Sequence, residues 1–305
     1  MKITCYFKKM KTSLFLMLSW PILFGCSSDD ITEVPTTPSP PSFNKSDSLT
    51  MIKIYEAIGP WDSKWDYSDV TTWTGVQAAL DVSTNEIRVV GFEVWNGNFH
   101  GTLPDDICKL PELRRLTIAG GSLGGHIPEN IGDLKHLILL TFGNNRMSGG
   151  IPESISKLKK LQYLNITMTR MNDTLPEALG ELANLEWLYI SNNRFKGNVP
   201  KGIGKLTKLK QCCLNGNELS GTFPLEAVGG RTDMQIQLQN NNITELPFEI
   251  WSDDFVGIPP ILQRNRLSGT VPEEVQKTKK WEKESLICTS RQQEGYGYTN
   301  VEYYY

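Results

Sequence analysis

Apolar and polar positions along this chain repeat with a period of 24. Prolines recur at Pro104, Pro128, Pro152, Pro176, Pro200, Pro224, Pro247 and Pro272, with gaps of 24 five times and then 23 and 25. Seven positions before most of them runs a second column: Gly97, Gly121, Asn145, Thr169, Asn193, Asn217, Asn241 and Asn265, with no slip in register. Apolar pairs sit five and three residues upstream of that column, at Phe92/Val94, Leu116/Ile118, Leu140/Phe142, Leu164/Ile166, Leu188/Ile190, Cys212/Leu214 and Ile236/Leu238. Internal self-similarity of this kind is the signature of a stacked architecture. A pair spaced by two residues puts both side chains on one side of a short strand. One strand cannot bury such a face alone, so the spacing predicts coils stacked into a parallel ladder about 4.8 Å apart, sharing one core. Asn145, Asn193, Asn217, Asn241 and Asn265 then stack as a buried ladder that serves the backbone of the neighbouring coil, since an orphaned buried backbone group costs about 1–3 kcal/mol.

These residues resemble the leucine-rich repeat family in its plant-type form, Leu-x-x-Leu-x-Leu-x-x-Asn-x-Leu-x-Gly-x-Ile-Pro. The cleanest copies run from Leu185 to Pro200 and from Leu137 to Pro152, and the resemblance covers residues 86–281. It implies an α/β-type solenoid of about eight repeats, coiled right-handedly, with a parallel β-sheet on the concave face. Gly97, Gly121 and Thr169 depart from the asparagine column, Asp173 from the glycine column, and Pro260 replaces a strand leucine. The C-terminal coils are expected to be less regular.

A stack has open ends that need caps. In residues 48–85, Leu49, Ile52, Tyr55 and Ile58 suit one helical face. Trp61, Trp65 and the run Trp73-Thr-Gly-Val76 follow. That run is similar to the N-terminal cap of plant extracellular repeat proteins, but the cysteine pair of that family has no counterpart between Cys26 and Cys108. Residues 282–305 form the C-terminal cap, and Tyr296, Tyr298 and Tyr303 to Tyr305 either pack on the last coil or fray.

The chain begins with a different pattern. Lys2, Lys8, Lys9 and Lys11 precede an apolar run from Ser13 to Phe24, too short for a membrane span and typical of a secretory signal. The run ends in Leu23-Phe-Gly-Cys26, which resembles the lipobox of bacterial lipoproteins. The resemblance implies that residues 1–25 are removed and Cys26 is acylated. Ser27 next to it, followed by Asp29 and Asp30, implies an outer-membrane protein displayed to the exterior. Residues 26–47, rich in Ser, Thr and Pro, read as a disordered tether.

Charge changes the picture little. There are 31 Lys and Arg against 34 Asp and Glu, which argues against a nucleic-acid partner. Gly120-Gly-Ser-Leu-Gly124 matches a nucleophile motif, but Gly121 and Leu123 occupy repeat columns and Ser122 falls at a bend rather than between a strand and a helix. His100 and His126 have no metal-ligand spacing around them. No cofactor and no enzymatic activity are expected. The strand residues that point away from the core are the candidate surface. There Tyr163, Trp187 and Tyr189 cluster on two adjacent coils, with Gln211, Asn215 and Gln237 beside them. Exposed aromatics flanked by polar donors suit a protein partner, and sugars stack on such rings too. The expected function is recognition of a protein ligand by a surface protein anchored to the membrane through lipid, with capture of a glycan for nutrient uptake as the alternative.

Overall fold

In the computed structural model, residues 39–59, 65–228 and 230–301 are described. The signal, Cys26, most of the tether, Trp61 and Tyr303 to Tyr305 lie outside them. Short strands β3 (Glu86–Trp95), β4 (Arg115–Ala119), β5 (Leu139–Thr141), β6 (Tyr163–Asn165), β7 (Trp187–Tyr189), β9 (Gln211–Cys213) and β11 (Ile236–Gln237) pair in parallel, each with the next coil. The register advances by 24 residues at every step, so Arg115, Leu139, Tyr163, Trp187 and Gln211 stand in one row. The molecule is a leucine-rich repeat solenoid. A smaller parallel sheet of β8 (Lys196–Gly197), β10 (Glu218–Thr222) and β12 (Asn242–Glu245) lies farther round the coils. The chain returns through short 3₁₀ turns such as Glu153–Lys157, Glu177–Glu181 and Lys201–Lys205. Each of these opens after a column proline, whose fixed φ suits the turn entry.

Between strand and return lies the column that holds the stack together. Asn241 is 1% exposed. Its Nδ2 donates to Leu238 O in its own coil at 2.9 Å and to Leu214 O in the coil before at 3.1 Å, while its Oδ1 accepts from Leu219 N at 3.0 Å. Asn145, Asn217 and Asn265 repeat all three bonds with their own neighbours. Asn193 differs in its acceptor. Its Oδ1 receives both the backbone N–H and the hydroxyl of Thr169, so the departure at 169 is absorbed one coil later. Gly121 stands where the ring of Phe99 fills the space, since a Cβ there would lie 2.2 Å from that ring.

The residue just before each ladder position is left-handed in every coil. Asn96, Gly120, Asn144, Met168, Asn192, Gly216, Asn240 and Arg264 all have φ between 54° and 75°. Asn and Gly tolerate this region, whereas Met168 and Arg264 hold it at a cost of about 1–2 kcal/mol each.

The N-terminal end departs from the expected cap in three ways. The helix α1 runs Lys45–Ile58, preceded by strand β1 (Ser42–Phe43) paired with β3, so ordered structure starts inside the stretch expected to be tether. Its buried face is Asp47, Thr50, Met51, Ile54, Tyr55 and Ile58; Leu49 is exposed and Ile52 half-buried. The face is rotated because Asp47 faces inward, where its carboxylate accepts from Arg88 Nε and Nη2, both at 2.9 Å, and from Val89 N at 2.9 Å. Strand β2 (Val76–Asp81), antiparallel to β3, was not legible in the sequence. Trp65 stacks between Tyr55 and Trp73, at centroid distances of 4.4 and 4.9 Å. A buried ion pair and an aromatic stack thus hold the cap. At the other end, helix α2 (Lys279–Thr289) and a strand pairing of Ser268–Gly269 with Gly297–Tyr298 close the core. Tyr298 packs there on Trp281 and Phe248, while Tyr296 stays exposed beside Arg266.

Two substitutions test this account by urea unfolding. Asn241→Ala orphans two buried carbonyls and one N–H, and is expected to lower stability by about 2–3 kcal/mol. Asp47→Ala leaves Arg88 half enclosed without its partner and is expected to cost about 3–5 kcal/mol.

Candidate binding surface

The outward residues of the ladder strands form one continuous face, and the coil spacing decides which of them touch. Tyr163 and Trp187 are directly paired across β6 and β7, and their rings lie 6.2 Å apart. Tyr189 leans back over Tyr163 at 5.5 Å. All three are half-buried. The structure therefore brings together the three rings the sequence singled out. Two of them are also held from the next coil. The Tyr189 hydroxyl donates to Gln211 Oε1 at 2.6 Å. Lys210 Nζ sits 4.9 Å from the centroid of the Trp187 ring, and Glu186 positions that ammonium at 2.6 Å. Rings fixed in this way lose little rotamer freedom when a ligand arrives.

The amides beside them are part of the same lattice. Asn215 Oδ1 accepts from the Ser191 hydroxyl at 2.8 Å, and Gln237 Oε1 receives the Cys213 thiol at 3.5 Å. Among the described residues the amide N–H groups of Asn215 and Gln237 have no partner, and both side chains line an open pocket at the surface. Gln235 is spent differently, donating to Pro259 O at 3.1 Å. At the N-terminal end of the face, Glu93 is clamped by Arg115 at 2.7 Å and by Gln77 at 2.8 Å, so its charge is neutralised in place.

Acid–base chemistry finds little purchase here. Burial pushes the Tyr189 hydroxyl up, and the neighbouring Tyr163 and Cys213 add to it. Burial likewise raises the thiols of Cys212 and Cys213. Cys212 lies inside the core and Cys213 on the concave face, and neither forms a disulfide. Cys108, on the return side of its coil, is pushed up to about 12, first by burial and then by Asp133 and Asp105. His100 Nδ1 lies 3.0 Å from Asn98 O, within its own bend. Among the described residues, no group of His, Cys, Asp and Glu is arranged to hold a metal ion.

Residues 82–222 match the family model of the leucine-rich repeat region. Solved structures share the fold. A PEPR1–AtPEP1 complex aligns with a TM-score of 0.65 and 24% identity, over 75% of this chain and 32% of that one. A plant peptide hormone receptor, RGFR1, in complex with RGF2 gives 0.52 and 28%, over 60% and 29%. A plant ice-binding protein gives 0.63 and 22%, over 77% and 84%. The chain thus spans about a third of the length of the PEPR1 and RGFR1 chains. No curated protein matches it in sequence.

The thiol environments predict that an aromatic disulfide reagent at pH 8 leaves Cys108, Cys212 and Cys213 unlabelled in the folded protein and labels all three in urea, as read by peptide mapping. Because burial disfavours the Cys108 thiolate, this group leaves stability unchanged below the ordinary thiol value of 9.0 and lowers it as pH rises toward about 12, where the unfolded chain has lost the proton that the folded one keeps.

Proposed function

We propose that this protein is a recognition module, held at the bacterial surface by an acylated Cys26, that binds a protein or peptide ligand on its concave face without performing chemistry on it. The observation that carries the reading is the Tyr163, Trp187 and Tyr189 cluster, fixed in place by Gln211 and Lys210 and flanked by the free donors of Asn215 and Gln237. Pre-positioned aromatics at the middle of an interface, ringed by polar groups, are where binding energy concentrates. The RGFR1 complex supports a peptide as the ligand class, because there a related repeat array is seen in complex with RGF2. The anchor rests on the Leu23-Phe-Gly-Cys26 motif, and display at the exterior of the outer membrane on Ser27 and the acidic pair after it.

Two measurements test this. Peptides selected by display against the wild-type protein are expected to lose at least about 2 kcal/mol, or thirtyfold in affinity, with the Tyr163→Ala/Trp187→Ala/Tyr189→Ala variant. Its unfolding should stay two-state, because the rings stand outside the core. Unchanged affinity would move the site elsewhere. A Cys26→Ala variant expressed in cells fed a labelled fatty acid should lose the label and leave the membrane fraction; retained label would exclude acylation at that residue.

A further inference from the structure

The N-terminal half of the same face carries a second feature that the aromatic cluster does not use. The third outward row reads Trp95, Ala119, Gly143, Thr167, and its floor is therefore bare between two walls. Trp95, the last residue of β3, is 59% exposed. Met168, on the far side, is 54% exposed. With coils about 4.8 Å apart, the three steps from Trp95 to Thr167 span about 14 Å. Together these residues line an open slot of 250 Å³. Met168 occupies a left-handed position that six of the other seven coils fill with Asn or Gly. A strained, exposed apolar side chain at such a position marks a place to look for a ligand.

An independent observation lies in the floor. Thr141 lines the slot and is 2% exposed, yet its hydroxyl has no hydrogen-bond partner. The hydroxyl of Thr117, next to it in the same row, is in the same state at 0% exposed. Beside them the Asn165 side chain spends its Oδ1 on Thr167 N at 2.9 Å, leaving its amide N–H groups without a partner among the described residues. Buried polar groups are ordinarily satisfied, and exceptions call for an explanation. No ionisable side chain lines the slot.

We infer that this slot is a binding site for a neutral pyranose ring of a glycan, stacked on the face of Trp95. An indole offers such a ring a flat apolar platform. Sugar hydroxyls both donate and accept, so they can meet the Asn165 amide and, once the Thr141 side chain turns its unpartnered hydroxyl up from beneath the floor, that group as well, which an apolar side chain of a peptide cannot do. The uncharged lining favours a neutral sugar over an acidic one. The site shares no residue with the Tyr163, Trp187 and Tyr189 cluster, which it adjoins where Asn165 pairs with Tyr189, and it does not depend on the peptide reading of that cluster.

Calorimetric titration of the whole protein with maltohexaose, cellohexaose, laminarihexaose and mannohexaose, with oligogalacturonate as the charged control, tests the inference. At least one neutral oligosaccharide is expected to bind and the charged control is not. Trp95→Ala should weaken that binding about tenfold, and Thr141→Val about threefold. Ala119→Phe, which fills the floor, should abolish it. Thermal unfolding of each variant serves as the folding control, and Trp95→Ala is at a site exposed enough to fold as wild type. The triple alanine variant of the aromatic cluster borders the slot only through Tyr163 and Tyr189, the neighbours of Asn165, so its sugar affinity should fall by no more than about threefold while peptide binding is lost, and the two sites fail separately. Absence of binding by every neutral oligosaccharide at millimolar concentration, binding of the acidic one alone, unchanged affinity in Trp95→Ala, or loss of sugar binding in the triple variant would each overturn it.

Discussion

Every coil of this protein is incomplete alone. Its strand has a partner only in the coils on either side, and where the strand ends the backbone carbonyls turn toward the core with no water to receive them. One asparagine amide resolves both problems, donating to a carbonyl of its own coil and to one of the coil before, as Asn241 does to Leu238 O and Leu214 O. Its oxygen takes a backbone N–H of the earlier coil. Because both kinds of bond run between coils, cohesion depends on the coils keeping equal length. The strict register of β4 to β9, and the rows of outward side chains that make a surface, follow from that requirement.

The repeat itself was legible because stacking converts sequence period into spatial adjacency. Tyr163, Trp187 and Tyr189 could be brought together on paper for the same reason. What escaped was whatever breaks the period. The cap has no second copy to be compared with, so a helical face drawn through Leu49 and Ile52 looked as good as one through Met51 and Ile54. Only the carboxylate of Asp47, turned inward to Arg88, decides between them. Strand β2 escaped for a related reason: Gln77 to Leu80 is exposed, so no alternation of burial advertises it. The left-handed column was written in the chain as Asn and Gly one step before the ladder, but Met168 and Arg264 interrupt it, and residue type alone gave no reason to read past them.

The candidate surface was legible in position and opaque in energetics. Columns place Gln211 next to Tyr189, but they do not say that its oxygen is already committed to the tyrosine hydroxyl, nor that Lys210 is steered over Trp187 by Glu186. Nor do they reveal that Thr117 and Thr141, two unremarkable residues in an outward row, are enclosed with nothing to bond. A row of residues is a statement about neighbours; which of their polar atoms are left over depends on side-chain geometry that no period encodes.

The unbroken register has a consequence for how such a protein can change. Since the turns that carry Asn217, Asn241 and Asn265 meet their neighbours through the same bonds, such a turn can be duplicated or excised by a single recombination event without redesigning any contact, provided the cut is made at the same phase in both places. The surface would then lengthen or shorten by one row at a time. The Asp47–Arg88 cap and the Tyr298–Trp281 closure would ride along as fixed ends. Specificity could be altered by shuffling rows, and thermodynamic stability would scale with their number.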